Sequence, residues 1–176
     1  AMYGEVYFLR AYYYFELVKF FGDVPLFTEA RLTAGQAGTL TRTPKDEVYA
    51  QIELDLQNAI ASLPNSQSQV GRVNKYTAYA LLGKVLLYQD KFAEAASALD
   101  NVIGVYSLVS DYGSQFLRFG ENGPESVFEI QYSNQSNWYD WGCAHCSEGN
   151  YAIIMNGPRG WSGPEYAQGW SFNVPT

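Results

Sequence analysis

The sequence predicts a mainly α-helical protein: a stack of helices, then an irregular, loop-rich region with one or two short strands. Three observations carry this. Apolar residues recur at helical spacing between Met2 and Ile103. Capping and breaking residues bracket each of these runs. Beyond Ser133 the chain turns to Gly, Asn, Ser, Trp and Tyr, and all four Trp fall there, at Trp138, Trp141, Trp161 and Trp170.

The first helix is read from Met2 to Phe21, with Gly22 as its stop and Pro25 just beyond. From Leu9 to Phe21 its only charges are Arg10, Glu16 and Lys19, and rings crowd the rest. Rings that wide predict packing on nearly every side, among other helices rather than at a surface. Residues 27 to 42 read as a polar, Thr- and Gly-rich connection. Thr43-Pro44-Lys45-Asp46 then supplies a capping Thr, a Pro at the first helical position and an acid at the third. Val48, Ile52, Leu56, Ile60 and Leu63 follow at helical spacing until Pro64 closes the second helix. Its acids Glu47, Glu53 and Asp55 read as a solvated face.

A loop rich in Ser and Gln occupies Asn65 to Val73. The third helix starts at Asn74 or Lys75, runs to about Tyr88, and presents Ala78, Leu81, Leu82, Val85 and Leu86 as its buried stripe. The fourth, from about Lys91 to Ile103, sets Phe92, Ala95, Ala96, Leu99 and Ile103 on one face. The pair resembles a tetratricopeptide unit: Tyr79, Leu82, Gly83 and Leu86 match one half, Ala95 and Leu99 the other. It departs at Leu86, Leu99 and Val102. Gly83 and Ala95 have a physical role in that reading, because small residues let antiparallel helices approach closely. One such unit cannot bury its apolar face alone, so the first two helices are expected to form an adjacent, divergent pair.

After Tyr106 the pattern changes. Asp111 to Phe116 reads as one helical turn, and Ser126 to Tyr132 alternates as a half-buried strand. The domain reading is therefore a helical scaffold over 1–132 and a loop-rich, Trp-rich segment over 133–176. So long a loop is usually functional or disordered, and its density of rings argues against disorder.

Composition narrows the function classes. The net charge of −7 repels a polyanion, so nucleic acid is excluded as an expected partner. Aromatics reach 16% with fifteen Tyr, a surplus that suits sugar or protein surfaces. No apolar run approaches the length of about 18 residues that spans a bilayer. No charged n-region with an apolar h-region precedes the first helix. Both ends look cut, which leads us to expect a piece of a longer protein and makes the missing targeting sequence weak evidence on location.

Candidate chemistry concentrates in the last quarter. In Ser136-Asn-Trp-Tyr-Asp-Trp-Gly142, rings at Trp138, Tyr139 and Trp141 alternate with Asn137 and Asp140. A ring gives the C–H face of a sugar a stacking platform, while amide and carboxylate groups hydrogen-bond its hydroxyls. The same rings would equally serve to pin the loop on the core. Trp161 and Tyr166 are second-choice contacts. Cys143-Ala-His-Cys146 holds the only His, His145, yet a closed zinc site needs a fourth ligand. The residues alone leave open a local disulfide, two inert thiols, metal binding and catalysis there. Asp140, Glu148 and Glu165 lack any sign of convergence as a glycosidase pair. Gly157-Pro-Arg-Gly160 lacks the Lys-Ser/Thr ending of a phosphate loop. No metal, cofactor or catalytic residue is expected.

Read as a whole, the chain resembles the SusD/RagB family of outer-membrane glycan-binding lipoproteins. The matching pieces are Phe20-Phe21-Gly22-Asp23-Val24-Pro25-Leu26, the run from Thr43-Pro44 to Leu63-Pro64, Gly71 to Val85, Glu125 to Gln131, Gly157 to Gly160, and Gly169 to Thr176. They occur in order over nearly the whole chain. The resemblance implies a central piece of a longer, Bacteroidetes-type lipoprotein whose lipid anchor lies outside this sequence. It implies a helical scaffold that docks on a SusC-like TonB-dependent transporter, with irregular segments holding an oligosaccharide or polysaccharide for uptake. No bond is made or broken in that role. The alternatives from other classes are a repeat-type protein-interaction scaffold with no glycan ligand and, third, an enzyme.

Overall fold

Helix α1 runs Met2–Phe21 and ends where Gly22 takes a φ of +65°, with its N–H donating to the Val18 carbonyl at 3.0 Å. A side chain would be strained in that left-handed conformation, which is the reason for glycine there. The computed structural model describes residues 2–29, 31–131 and 159–160 of the chain. The chain divides into two compact units, Ala1–Glu129 and Ile130–Thr176. The first holds α1, α2 (Ala34–Ala37), α3 (Lys45–Ser62), α4 (Lys75–Leu87) and α5 (Phe92–Asp100). Helix α1 packs on α3, α3 on α4, and α4 on α5, giving a mainly helical, tetratricopeptide-like stack.

The core is one cluster. Helix α1 contributes Phe8, Ala11, Phe15 and Val18; α3 contributes Val48, Ile52, Leu56 and Ala59; α4 contributes Ala78, Leu82, Val85 and Leu86. The stripes of the second and third predicted helices are buried as their spacing requires, save Ile60 and Leu81, which pack half-buried against the core. Two expectations about faces are corrected. Helix α1 is not enclosed: Tyr3 is 80% and Phe20 76% exposed, and Val6, Leu9, Tyr13 and Leu17 join them on one side. Apolar residues lie all round this helix, so periodicity could not say which side is covered. On α5 only Ala95 and Ala98 are buried, while Phe92, Leu99 and Ile103 are exposed. The helix also ends at Asp100, before Ile103, because the Asn101 amide donates to the Ser97 and Ala98 carbonyls and competes with a further turn.

The start of α3 differs from the sequence expectation. Pro44 occupies the N-cap position and makes no side-chain cap. Asp23, across the connection, supplies the oxygen instead: its Oδ1 accepts from the Lys45 N–H at 2.8 Å. Thr43 pairs with Val24 in an isolated antiparallel bridge, and its Oγ1 accepts from the Leu26 N–H. The connection carries the single turn α2, closed by a Thr33–Gln36 capping box.

Helix α4 starts as predicted, with Asn74 Oδ1 accepting from the Thr77 N–H at 2.9 Å. The turn into α5 places Asp90 at a φ of +60°, a conformation Asp tolerates better than most residues. Beyond α5, Tyr112–Phe116 and Arg118–Gly120 are 3-10 turns, the first at the predicted helical turn. Residues 126–131 form no strand among the described residues. Side chains hold them instead: Phe128 meets Phe8 edge-on at 5.5 Å, and the Thr77 hydroxyl donates to the Val127 carbonyl at 3.1 Å. Residues 126–129 are half-buried as alternation suggests, whereas Ile130 and Gln131 are exposed, and a ladder partner is not a local property.

Candidate functional site

The residues singled out for ligand contact, Asn137, Trp138, Tyr139, Asp140, Trp141, Trp161 and Tyr166, lie outside the described residues. So do Cys143, His145, Cys146, Glu148, Glu165 and Trp170. What can be built from the residues upward is the described part of the first unit, whose features include a buried ionic cluster and three surface cavities.

The cluster joins α1 to α3. Asp55 is 1% exposed and receives Arg10 on both oxygens, Nε to Oδ2 at 2.7 Å and Nη2 to Oδ1 at 2.6 Å. Gln51 Nε2 donates to Oδ1 at 2.9 Å, and Arg10 Nη1 reaches the Thr28 carbonyl at 3.1 Å. The hydrogen bond to Asp55 raises the Arg10 pKa above its ordinary value, against the opposing effect of burial. This guanidinium therefore stays charged at all working pH. Asp55 is thus no solvated acid, which corrects the sequence reading. Glu53 departs from it too, since it accepts from Lys91 Nζ at 2.6 Å and Gln89 Nε2 at 2.8 Å. Only Glu47 lies fully on the exposed face. Helical spacing shows where an acid points but not what comes to meet it.

A polar cavity of about 200 Å³ lies between the loop before α4 and the segment 122–129. Gln67, Gln69, Arg72, Asn74, Tyr106 and Ser126 line it, with Val70 and Phe128 as apolar wall. Its rim is fixed by ion pairing: Arg72 grips Glu5 through Nε at 3.0 Å and Nη2 at 2.7 Å. Gln67 Nε2 donates to the Val73 carbonyl at 2.7 Å and to Glu5 Oε1 at 3.0 Å. Sequence reasoning passed over this site. The loop 65–73 was visible as polar, but nothing local ties Tyr106 or Ser126 to it.

The other two cavities differ in character. A shallow groove of about 440 Å³ between α4 and α5 is lined by Tyr79, Leu82, Leu86, Ala93, Ser97 and Ala98 among others. One of about 430 Å³ lies between Lys45, Tyr49, Tyr88 and Lys91. Among the described residues no three His, Cys, Asp or Glu side chains converge as metal ligands. No helix among them is long and apolar enough to cross a membrane.

Fold and cavities together define a tetratricopeptide-like helical stack with polar and apolar grooves. Comparison with known proteins gives it relatives. A SusD-like family model, described as starch-binding and associating with the outer membrane, matches residues 1–87. A SusD-like protein of Formosa agariphila is 33% identical over 100% of this chain, which covers 35% of that protein. A solved structure named as a laminarin-binding SusD-like protein superposes with a TM-score of 0.84 at 37% identity, over 97% of this chain and 40% of that one. Surface glycan-binding protein A of Bacteroides thetaiotaomicron, solved with laminarihexaose, gives 0.80 at 27% identity, over 95% of this chain and 36% of that one. The chain corresponds over nearly its whole length to a part of these SusD-like proteins and spans 35–40% of the length of the first two relatives.

Proposed function

We propose that the protein binds an oligosaccharide or polysaccharide at the cell surface without catalysis and delivers it to a SusC-like TonB-dependent transporter. One observation supports this above the rest. Nearly the whole chain corresponds to proteins named for glycan binding, one of them solved with laminarihexaose. Because the chain spans well under half of those relatives, the activity belongs to the longer architecture that they share. In this reading 1–132 is the scaffold and 133–176 the ligand-binding segment, with Trp138, Tyr139 and Trp141 as stacking platforms and Asn137 and Asp140 as hydroxyl partners. Trp161 and Tyr166 are second-choice contacts in this reading. A lipid anchor outside this sequence would hold the protein at the outer membrane.

Calorimetry against a glycan panel that includes laminarihexaose and maltohexaose tests the reading. Binding to at least one member is expected, and a panel without any response overturns it. Replacing Trp138 and Trp141 together by Ala should weaken binding about tenfold, from about 0.5–1.5 kcal/mol per lost aromatic contact. Helix content should stay unchanged; its loss would show those rings to be core. A second reading, an interaction scaffold without a small ligand, draws on the exposed apolar side of α1 and the α4–α5 groove. Recovery of protein partners alone, with no glycan response, would favour it.

A further inference from the structure

We propose that the polar cavity between the α3–α4 loop and residues 122–129 is a second sugar subsite that takes one neutral pyranose ring. The inference rests on the glycan-binding reading but names a place built only by the helical unit, distinct in sequence from the Trp-rich segment.

Size comes first. At about 200 Å³ the cavity would hold roughly six or seven waters at about 30 Å³ each. That is below the range of about 300 Å³ upward typical of drug-sized ligands. A single sugar ring is the right scale.

Charge decides the class. The charged side chains of the wall are Arg72 and Glu129: Glu5 neutralises Arg72 through two parallel bonds while Gln69 Oε1 takes its Nη1 at 3.2 Å, and Glu129 Oε1 accepts from the Asn122 N–H at 2.9 Å. An anionic ligand such as a phosphate would have to break that pairing. A neutral ligand leaves it intact.

Hydrogen-bonding capacity then fits hydroxyl groups. Tyr106 Oη accepts from Asn74 Nδ2 at 3.3 Å, so its own O–H remains to donate. Gln67 spends its Nε2 on Glu5 and Val73, which leaves its Oε1 as acceptor. Gln69 spends its Oε1 on Arg72 and retains its amide protons. Ser126 lines the cavity with a hydroxyl able to play both parts. Neighbouring sugar hydroxyls each donate and accept, so a wall offering both roles suits them better than a wall of donors or acceptors alone. Val70 and Phe128 present C–H and ring surface to the apolar side of the ring.

The walls are also preorganised. Asn74 is fixed by the α4 capping box, Phe128 by its contact with Phe8, and the loop by the Glu5 clamp. Ordering costs on binding are correspondingly small.

The test is a nitrogen-15 NMR titration of the full chain with glucose, laminarihexaose and maltohexaose. Saturable shifts at the amides of Gln69, Gly71, Tyr106 and Ser126 are expected, persisting in the Trp138→Ala/Trp141→Ala variant. Gln69→Ala with Ser126→Ala should weaken the pocket response about tenfold, the worth of two hydrogen bonds. Gln69→Ala alone serves if the pair disturbs the fold. Shifts confined to 133–176 overturn the subsite and leave the glycan reading standing. Shifts confined to the pocket support the subsite and remove the Trp-rich segment as the site. No shift with any sugar overturns the subsite, while the glycan reading is decided by the calorimetry.

Discussion

The two helical pairs of the scaffold solve the same packing problem by different means. Helices α1 and α3 are separated by residues 22–44 and are tied by polar clamps: Arg10 to Asp55, Arg10 to the Thr28 carbonyl, Asp23 to the α3 N-terminus. Tyr14 adds another, its Oη accepting from the Phe27 N–H at 2.7 Å and donating to the Phe27 carbonyl at 3.2 Å. Helices α4 and α5 are joined by residues 88–91 and approach through small residues. A Cβ on Gly83 would lie 2.5 Å from Leu99 Cγ, closer than atoms can stand. The difference teaches that a long connection must be fixed by specific partners, whereas a tight turn already sets the register and leaves shape to do the rest. Gly4, where a Cβ would meet Leu63 Cγ at 2.8 Å, shows that the first pair uses close approach as well.

The largest effect should come from the clamp in the core. Asp55→Ala leaves Arg10 partly buried without its partner and should cost about 3 kcal/mol, the lower end for a broken buried pair because Arg10 keeps some solvent access. Urea denaturation measures it, and a loss below about 1 kcal/mol would mean that the pair behaves like a surface bridge. Next comes the close contact of the second pair. Gly83→Ala forces Leu99 aside at about 1–3 kcal/mol, partly offset by about 1 kcal/mol of helix propensity. Adding Leu99→Ala should recover most of the loss, since the clash disappears; additive losses in the double variant would show that no close contact exists.

Tyr14→Phe leaves the Phe27 N–H without its acceptor and should cost about 1–2 kcal/mol. Thermal denaturation, with hydrogen exchange at Phe27, reads it. The smallest expected effect is Asp23→Ala, which removes an exposed cap from α3 for about 0.5–1 kcal/mol. If Asp23→Ala proved as costly as Asp55→Ala, the first pair would depend on its connection more than on its core.

Local signals fared well where the physics is local. Gly22 as a helix stop, Asn74 as a helix start, the buried stripes of α3 and α4, and the close approach at Gly83 were all readable because propensity, capping and period act within a few residues. The cap of α3 was misread for the complementary reason: Asp23 is near Lys45 only after the chain has folded back. Asp55 was misread as solvated because its partner is on another helix. The polar cavity was invisible in the sequence because its walls come from three separated segments. The Trp-rich candidate residues lie outside the described residues, so their part remains a proposal for the binding experiments above.

By itself, the sequence determined the helical order, the main buried stripes of α3 and α4, and, through its ordered motifs, the family likeness. Those depend on neighbours a few residues apart or on a linear pattern. Tertiary structure alone decided which side of α1 is covered, which charges are buried and paired, and where a polar cavity opens. Each of these needs atoms from distant segments to meet, and burial converts a charge that looks harmless on a helical wheel into one that must find a partner.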